Sequence, residues 1–236
     1  MIEQLLHAPA FWLAATLGIY LGATRLFLAS RRFALLNPVL LTVTLLAILL
    51  WLTGTPYARY ESGAHLVGFL LGPATVALAI PLYQSRDLLR RTWLPLAGGL
   101  VAGSLVTVLS VVAIGHWLGL SRPVLLALAP KAVTTPIALG ITAKLGGATS
   151  LVAVFTVVTG VTGATIGLAM LRLIRVHDDE TAGFAMGLSG SGIGTARAFE
   201  ESERMGAFGG LAVGLNGLFT AVVLPLLMHW HLLPLR

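Results

Sequence analysis

Pro130-Lys131-Ala132-Val133-Thr134-Thr135-Pro136 lies near the middle of a 236-residue chain, with apolar residues at 125–129 before it and 137–139 after it. A helix cannot run undisturbed through both prolines, because each lacks an N–H and its ring crowds the preceding turn. A lysine in apolar surroundings costs roughly 2.5–3.5 kcal/mol at the centre of a bilayer, so it needs a partner or a wet cavity. Thr135 before Pro136 reads as a helix start, a hydroxyl N-cap followed by proline at the first helical position. The second half-helix is then expected to begin inside the membrane. Its unsatisfied N–H groups there act like about half a positive charge and favour anions.

The membrane itself follows from composition. The chain is 57% hydrophobic and 10% charged, with a mean hydropathy of +0.92. A soluble domain could not cover that surface, so the expectation is an all-α polytopic membrane protein. A transmembrane barrel would need short alternating strands, and none is visible. Lys and Arg outnumber Asp and Glu by 15 to 9, but the excess lies in short loops, which suits membrane orientation better than nucleic-acid binding. With no cysteine, disulfides, thiolate metal sites and a cysteine nucleophile are excluded. No cleavable leader or transit peptide is expected, since a stretch long enough to span opens the chain.

Plain spans are expected at 9–29, 37–52, 93–118, 150–172 and 205–230, each near the length a bilayer requires. Between them lie three segments interrupted by Gly, Pro, Ser and Thr, at 65–83, 123–145 and 183–199. Trp12, Trp51, Trp93, Trp117 and Trp230 fall near span ends and read as interfacial anchors. Gly68-Phe69-Leu70-Leu71-Gly72 matches Gly183-Phe184-Ala185-Met186-Gly187 in pattern. Such a pair of interrupted segments in two halves points to a transporter's binding site and to inverted repeats, about 9–120 and 121–236, in one transmembrane domain over 1–236.

The basic clusters Arg31/Arg32, Arg86/Arg90/Arg91 and Arg172/Arg175 can all face the cytoplasm only if the lysine segment dips in and returns. That topology has seven crossings and one re-entrant segment, the N-terminus outside and the C-terminus inside. The acidic turn Glu200-Glu201-Ser202-Glu203 is then expected outside.

Three breaks carry the candidate chemistry. In the first, Lys131 supplies positive charge beside the hydroxyls of Thr134 and Thr135. A lysine can also merely pair with a carboxylate or snorkel, but no acidic residue lies inside any expected span. In the second, Ser189-Gly190-Ser191-Gly192-Ile193-Gly194-Thr195 combines close backbone approach with neutral hydrogen-bonding groups. Glycine runs in membranes also serve helix packing, and that reading stays open. Arg197 either meets an anion or reaches the interface. In the third, Gly72-Pro73-Ala74-Thr75 is a less polar counterpart, with Thr75 as its candidate contact. The expected helix breaks are Pro73, Pro130 and Pro136. Asn216 reads as an interhelical bonding group and the acidic run 178–180 as a solvated helix cap. His65 and His116 have no metal-ligand companions, so no metal or cofactor is expected. No nucleophile–base–acid set is visible, so an enzyme is not expected.

The stretches Pro130-Lys131 with Val133-Thr134-Thr135-Pro136-Ile137-Ala138, Leu71-Gly72-Pro73-Ala74-Thr75-Val76-Ala77-Leu78, and Gly192-Ile193-Gly194-Thr195-Ala196-Arg197-Ala198 resemble the LrgB/CidB family, in order and over nearly the whole chain. The resemblance implies a multi-pass protein of the bacterial cytoplasmic (inner) membrane, usually paired with a small LrgA/CidA-type membrane partner. It implies antiholin-like modulation of murein hydrolase activity and autolysis. It also implies a link to pyruvate movement and, through plant plastid relatives, to glycolate/glycerate translocation. Two positions depart from the family pattern: Ala132 stands where Ser is common, and Ser191 where His often precedes Gly-Ile-Gly. Losing an imidazole removes a titratable group and puts proton coupling through it in question.

Residues and resemblance agree in sign. The first expectation is a transporter of small 2-hydroxy or 2-oxo monocarboxylates (glycolate, glycerate, lactate, pyruvate) working by alternating access. Lys131 would balance the carboxylate while Thr134, Thr135, Ser189, Ser191 and Thr195 bond its oxygens. The second is a non-transporting, self-associating regulator of lysis in which Gly98, Gly99, Gly103 and Gly163 serve assembly. A channel is weaker, because no ring of like charges lines any span. The expected partners are thus a small organic anion, the lipid bilayer, an LrgA/CidA-type protein and a further copy of the chain, with no nucleic acid.

Overall fold

The computed structural model describes residues 8–30, 36, 38–77, 83 and 86–229, and these are helical throughout apart from short connections. In chain order the helices are α1 (Pro9–Ala29), α2 (Pro38–Thr53), α3 (Tyr57–Ala77), α4 (Arg86–Trp117), α5 (Arg122–Leu128), α6 (Thr135–Leu145), α7 (Thr149–Leu173), α8 (Asp179–Glu201) and α9 (Glu203–His229). Among the described residues, four stretches are long and apolar enough to cross a membrane: Pro9–Ala29, Arg90–Trp117, Thr149–Leu173 and Glu203–His229. Pro38–Thr53 is a shorter apolar helix. The architecture is that of an all-α polytopic membrane protein with re-entrant helices.

The chain divides into two compact units, Met1–Ala79 and Ile80–Arg236. In the first, α1 packs against α2 and α3. Trp12 is fully buried there, its ring edge-on to Tyr60 at 5.9 Å. Gly63 of α3 approaches α1 so closely that a Cβ would collide with the Pro9 carbonyl. Trp12 is therefore core, not an anchor, because the close glycine approach seals it between helices. Trp51, Trp93 and Trp117 are exposed, as anchors are, and Trp230 lies outside the described residues. Pro73 sits inside α3, which runs through it to Ala77, so no break occurs at Pro73.

The second unit is built around two helical hairpins. In the first, α5 and α6 are joined by a turn at 129–134. Its open end is closed by the Ala148 N–H donating to the Pro123 carbonyl (2.9 Å), and Thr142 Oγ1 donates to the Leu126 carbonyl (3.3 Å). The segment enters and leaves on one face, as the basic clusters required.

The second hairpin lies within α8. Ser191 has φ 51° and ψ −141°, far from helical values, and the chain reverses there. The half-helices, 179–190 (α8a) and 192–201 (α8b), lie so close that a Cβ on Gly194 would strike the Met186 carbonyl. At the open end, Ser202 Oγ donates to Asp179 Oδ2 (2.5 Å), Glu180 pairs with Arg204, and Arg172 reaches Glu201 (3.2 Å). This overturns the expectation that 183–199 crosses. The acidic turn 200–203 lies on the same face as Arg172, not opposite it, and α9 begins where α8 began.

Chain direction then follows from packing. Gly99 and Gly103 of α4 face Phe184 and Leu188 of α8a, and Gly115 faces Leu125 of α5. So α4 starts on the face where the second hairpin enters and ends on the face where the first enters. The hairpins insert from opposite faces. At about 1.5 Å per residue, α8a is ~18 Å long and α6 ~16 Å, each roughly half of a ~30 Å hydrocarbon layer. One apolar cluster (Val108, Val112, Leu125, Leu126, Ile141, Leu224) and another (Leu168, Ala182, Met186, Ala198, Met205) fill the two ends of the unit, with the hairpin tips between them.

Candidate functional site

Backbone groups inside a membrane must find partners within the protein, and a helix break exposes several at once. At the first tip the Lys131 N–H donates to the Leu128 carbonyl (3.0 Å) and the Val133 N–H to the Pro130 carbonyl (3.1 Å). Thr134, in extended conformation, is the N-cap of α6 without a side-chain cap bond, and Pro136 lies in the first helical turn. The start is thus one residue earlier than the sequence predicts. Pro136 takes the helical φ its ring favours, at a position in the first turn where its missing N–H would be unpaired in any case, and Thr135 is already helical against the bias on a residue before proline.

Lys131 is half-buried, and among the described residues no carboxylate or other acceptor bonds its ammonium. Thr135 Oγ1 is engaged with Thr156 Oγ1 of α7 at 2.8 Å, whereas the half-buried Thr134 stands at the tip.

The second tip is tighter. Gly190 packs against Gly160 and Gly163 of α7. Ser189 is exposed and its hydroxyl returns to the Ala185 carbonyl (2.7 Å); the buried Thr195 hydroxyl bonds the Ser191 carbonyl (3.0 Å). Gly192 has open space around it, and Gly194 is buried beneath Met186. Ser191 is 8% exposed, and its Oγ is the one buried side-chain polar atom among the described residues that makes no hydrogen bond within the protein. An unmet buried hydroxyl costs about 1–3 kcal/mol, and a serine at this φ and ψ costs a similar amount in strain.

One side chain joins the two tips. Asn216 of α9 donates from Nδ2 to the Ala132 carbonyl (3.1 Å) and to the Leu188 carbonyl (3.3 Å). The residue after Lys131 and the residue three before Ser191 are therefore one amide apart. The N-termini of α6 and α8b, each a helix start with positive character, both begin at this level, with Lys131 in the turn between α5 and α6. Sequence reasoning gave Asn216 its interhelical role but missed that it serves both breaks, since their proximity depends on the reversal at Ser191.

One candidate lies elsewhere in this unit. Arg197 is bound by Glu200 (3.0 Å) and Glu201 (2.6 Å) near the open end of the second hairpin, so it belongs to the interfacial ion cluster. Thr75 lies on α3, and its side chain falls outside the described residues. Asp178 caps α8 by accepting from the Thr181 N–H (3.0 Å). Hydrogen bonding from Thr181, by its side chain foremost and by its backbone N–H as well, holds the carboxyl below the ordinary range for Asp. The arrangement as a whole offers one cation, two helix starts and neutral hydroxyls, which suits holding a small oxyanion.

The family model described as "LrgB-like family" matches residues 16–230 of the chain. The chain is 33% identical over 217 residues to YwbG, an uncharacterized protein of Bacillus subtilis (strain 168), covering 91% of this chain and 95% of the relative. No solved structure matches it.

Proposed function

The chain belongs to the LrgB-like family of membrane proteins, and on that premise we propose that it carries small 2-hydroxy or 2-oxo monocarboxylates across the bacterial cytoplasmic membrane. The observation supporting this reading is the approach of two opposed hairpin tips, one carrying Lys131 and the other Ser191, whose buried hydroxyl alone among the described residues lacks a hydrogen bond. Lys131 meets the carboxylate, the helix starts of α6 and α8b reinforce it, and Ser191 with Thr134 takes the 2-hydroxy or 2-oxo oxygen. Glycolate, glycerate, lactate and pyruvate share that chemistry. Hairpins entering from opposite faces suit alternating access, each tip being the last barrier toward its own side. Arg86, Arg90, Arg91, Arg172, Arg175 and Arg204 share one face, which the positive-inside rule assigns to the cytoplasm.

The family premise fits a second reading as well: an antiholin-like protein that modulates murein hydrolase activity and autolysis with an LrgA/CidA-type partner. The hairpin tips weigh toward transport. The glycines expected to serve assembly are engaged internally, Gly103 against Leu188 and Gly163 against Gly190, while Gly98 alone of the four faces open space.

Uptake of labelled glycolate and pyruvate into proteoliposomes tests the choice. Lys131→Ala is expected to lower uptake by about a hundredfold, the scale of losing a charge-assisted contact in a poorly solvated site. Unchanged saturable uptake in Lys131→Ala removes the proposed site. Release of large dyes on expression, without saturable uptake, favours the second reading.

A further inference from the structure

Asn216 does more chemically than join helices. It is 2% exposed, halfway along α9, and its hydrogen-bonding capacity is complete. Oδ1 accepts from Ser104 Oγ (2.8 Å) and Thr220 Oγ1 (3.2 Å), while Nδ2 donates to the Ala132 and Leu188 carbonyls. The carbonyls fix the orientation: turned over, the amide oxygen would face two acceptors, and neither could donate to it.

Each hairpin brings two helix ends to its tip. The helix that starts there presents N–H groups and positive character; the helix that stops there presents carbonyls and negative character. Unquenched, the two would largely cancel at a nearby ligand. Leu188 is among the last carbonyls of α8a, and Ala132 belongs to the turn that follows α5. We propose that Asn216 sets the charge preference of the site by quenching one carbonyl at each tip with a single amide, the Leu188 carbonyl in the last turn of α8a and the Ala132 carbonyl of the turn after α5, leaving the starts of α6 and α8b and Lys131 to present a net positive field. Asn216 is then a positioning residue that touches no substrate. The inference rests on the carboxylate reading above and adds to it which group selects the sign of the cargo.

The aspartate variant is the sharpest probe. Asn216→Asp keeps the shape but replaces both donors with acceptors, and its charge sits near Lys131, the ionisable side chain on the tips. Among the described residues, the other ionisable groups of α4 to α9 lie toward helix ends, with Arg197 held by Glu200 and Glu201.

Uptake of labelled glycolate and pyruvate is measured in proteoliposomes with equal pH inside and out. Each variant is normalised to wild type at the same pH. At neutral pH, Asn216→Asp is expected to raise KM by about tenfold or more. As pH falls, its ratio to wild type recovers, because a protonated carboxyl can donate to one of the two carbonyls. Asn216→Ala, with nothing to titrate, stays low and flat. Wild-type KM in Asn216→Asp at neutral pH, or identical pH profiles for the two variants, overturns the inference.

Should Asn216→Asp fail to fold, Ser104→Ala and Thr220→Val loosen the amide while keeping it. A KM raised about threefold at unchanged melting temperature supports the inference, and wild-type KM in both overturns it. If Lys131→Ala loses uptake while these variants do not, this inference falls and the transport reading stands. If Lys131→Ala keeps uptake, both fall.

Discussion

The two hairpins achieve the same reversal by opposite means. The first turns over residues 129–134, with Pro130 in the turn and Pro136 opening the return helix. The second turns at the single residue Ser191, and its arms are close enough for Gly194 to lie against the Met186 carbonyl. A wide turn has room for a long charged side chain, so Lys131 sits there. A tight one admits only small residues, and the second tip reads Ser189-Gly190-Ser191-Gly192. Charge on one tip and neutral hydroxyls on the other is thus a consequence of turn radius as much as of chemistry.

Stability should separate the hairpins most strongly. A methyl on Gly194 meets backbone that cannot yield, so Gly194→Ala is expected to cost about 3 kcal/mol, seen as a lower melting temperature in detergent. Gly140, in the return arm of the first hairpin, has no neighbour in reach of a Cβ. Gly140→Ala is expected to be neutral or to gain up to about 1 kcal/mol from helix propensity. Equal losses in both would show that the arms do not differ in closeness.

A smaller effect isolates the reversal residue. Ser191→Gly removes both the strain and the hydroxyl, whereas Ser191→Ala removes only the hydroxyl. The glycine variant is expected to melt higher than the alanine variant by about 1 kcal/mol, while both raise the KM for glycolate by about fivefold or more. A normal KM in both variants takes Ser191 out of the site.

The smallest difference lies at the entries. Asp178 caps α8, whereas Ser121, the N-cap of α5, makes no side-chain cap bond. Asp178→Ala is expected to cost about 0.5–1 kcal/mol, and Ser121→Ala close to nothing. Because the Asp178 carboxyl titrates below its ordinary range when folded, its contribution is full above that range and fades as pH falls through the depressed value. The melting gap between wild type and Asp178→Ala should therefore close in acid.

Much of this was legible in the sequence. Hydropathy located the plain spans, with helices found at Pro9–Ala29, Pro38–Thr53, Arg86–Trp117, Thr149–Leu173 and Glu203–His229. The bracketing prolines and the arginine clusters together implied that the lysine segment turns back. Ser191 was harder, because a serine in this backbone conformation has no compositional signature and its neighbouring glycines fit a packed crossing equally well. Missing that one reversal moved the acidic turn to the wrong face. Pro73 misled in the other direction, since a proline alone does not have to stop a membrane helix, and α3 runs through it. Trp12 misled because position near a span end says nothing about the glycine packed across from it.

The close seating of α8 on α9, with Gly183 against the Met205 carbonyl and Gly187 against that of Gly209, bears on biogenesis. A ribosome releases the hairpin before the helix it rests on, and arms of half a bilayer's length are poorly held by lipid alone. The hairpin must wait, loosely inserted or at the translocon, until the final helix arrives. Chains truncated after Ser202 should accordingly be quality-control substrates, even though everything needed to form both tips' turns has already been translated.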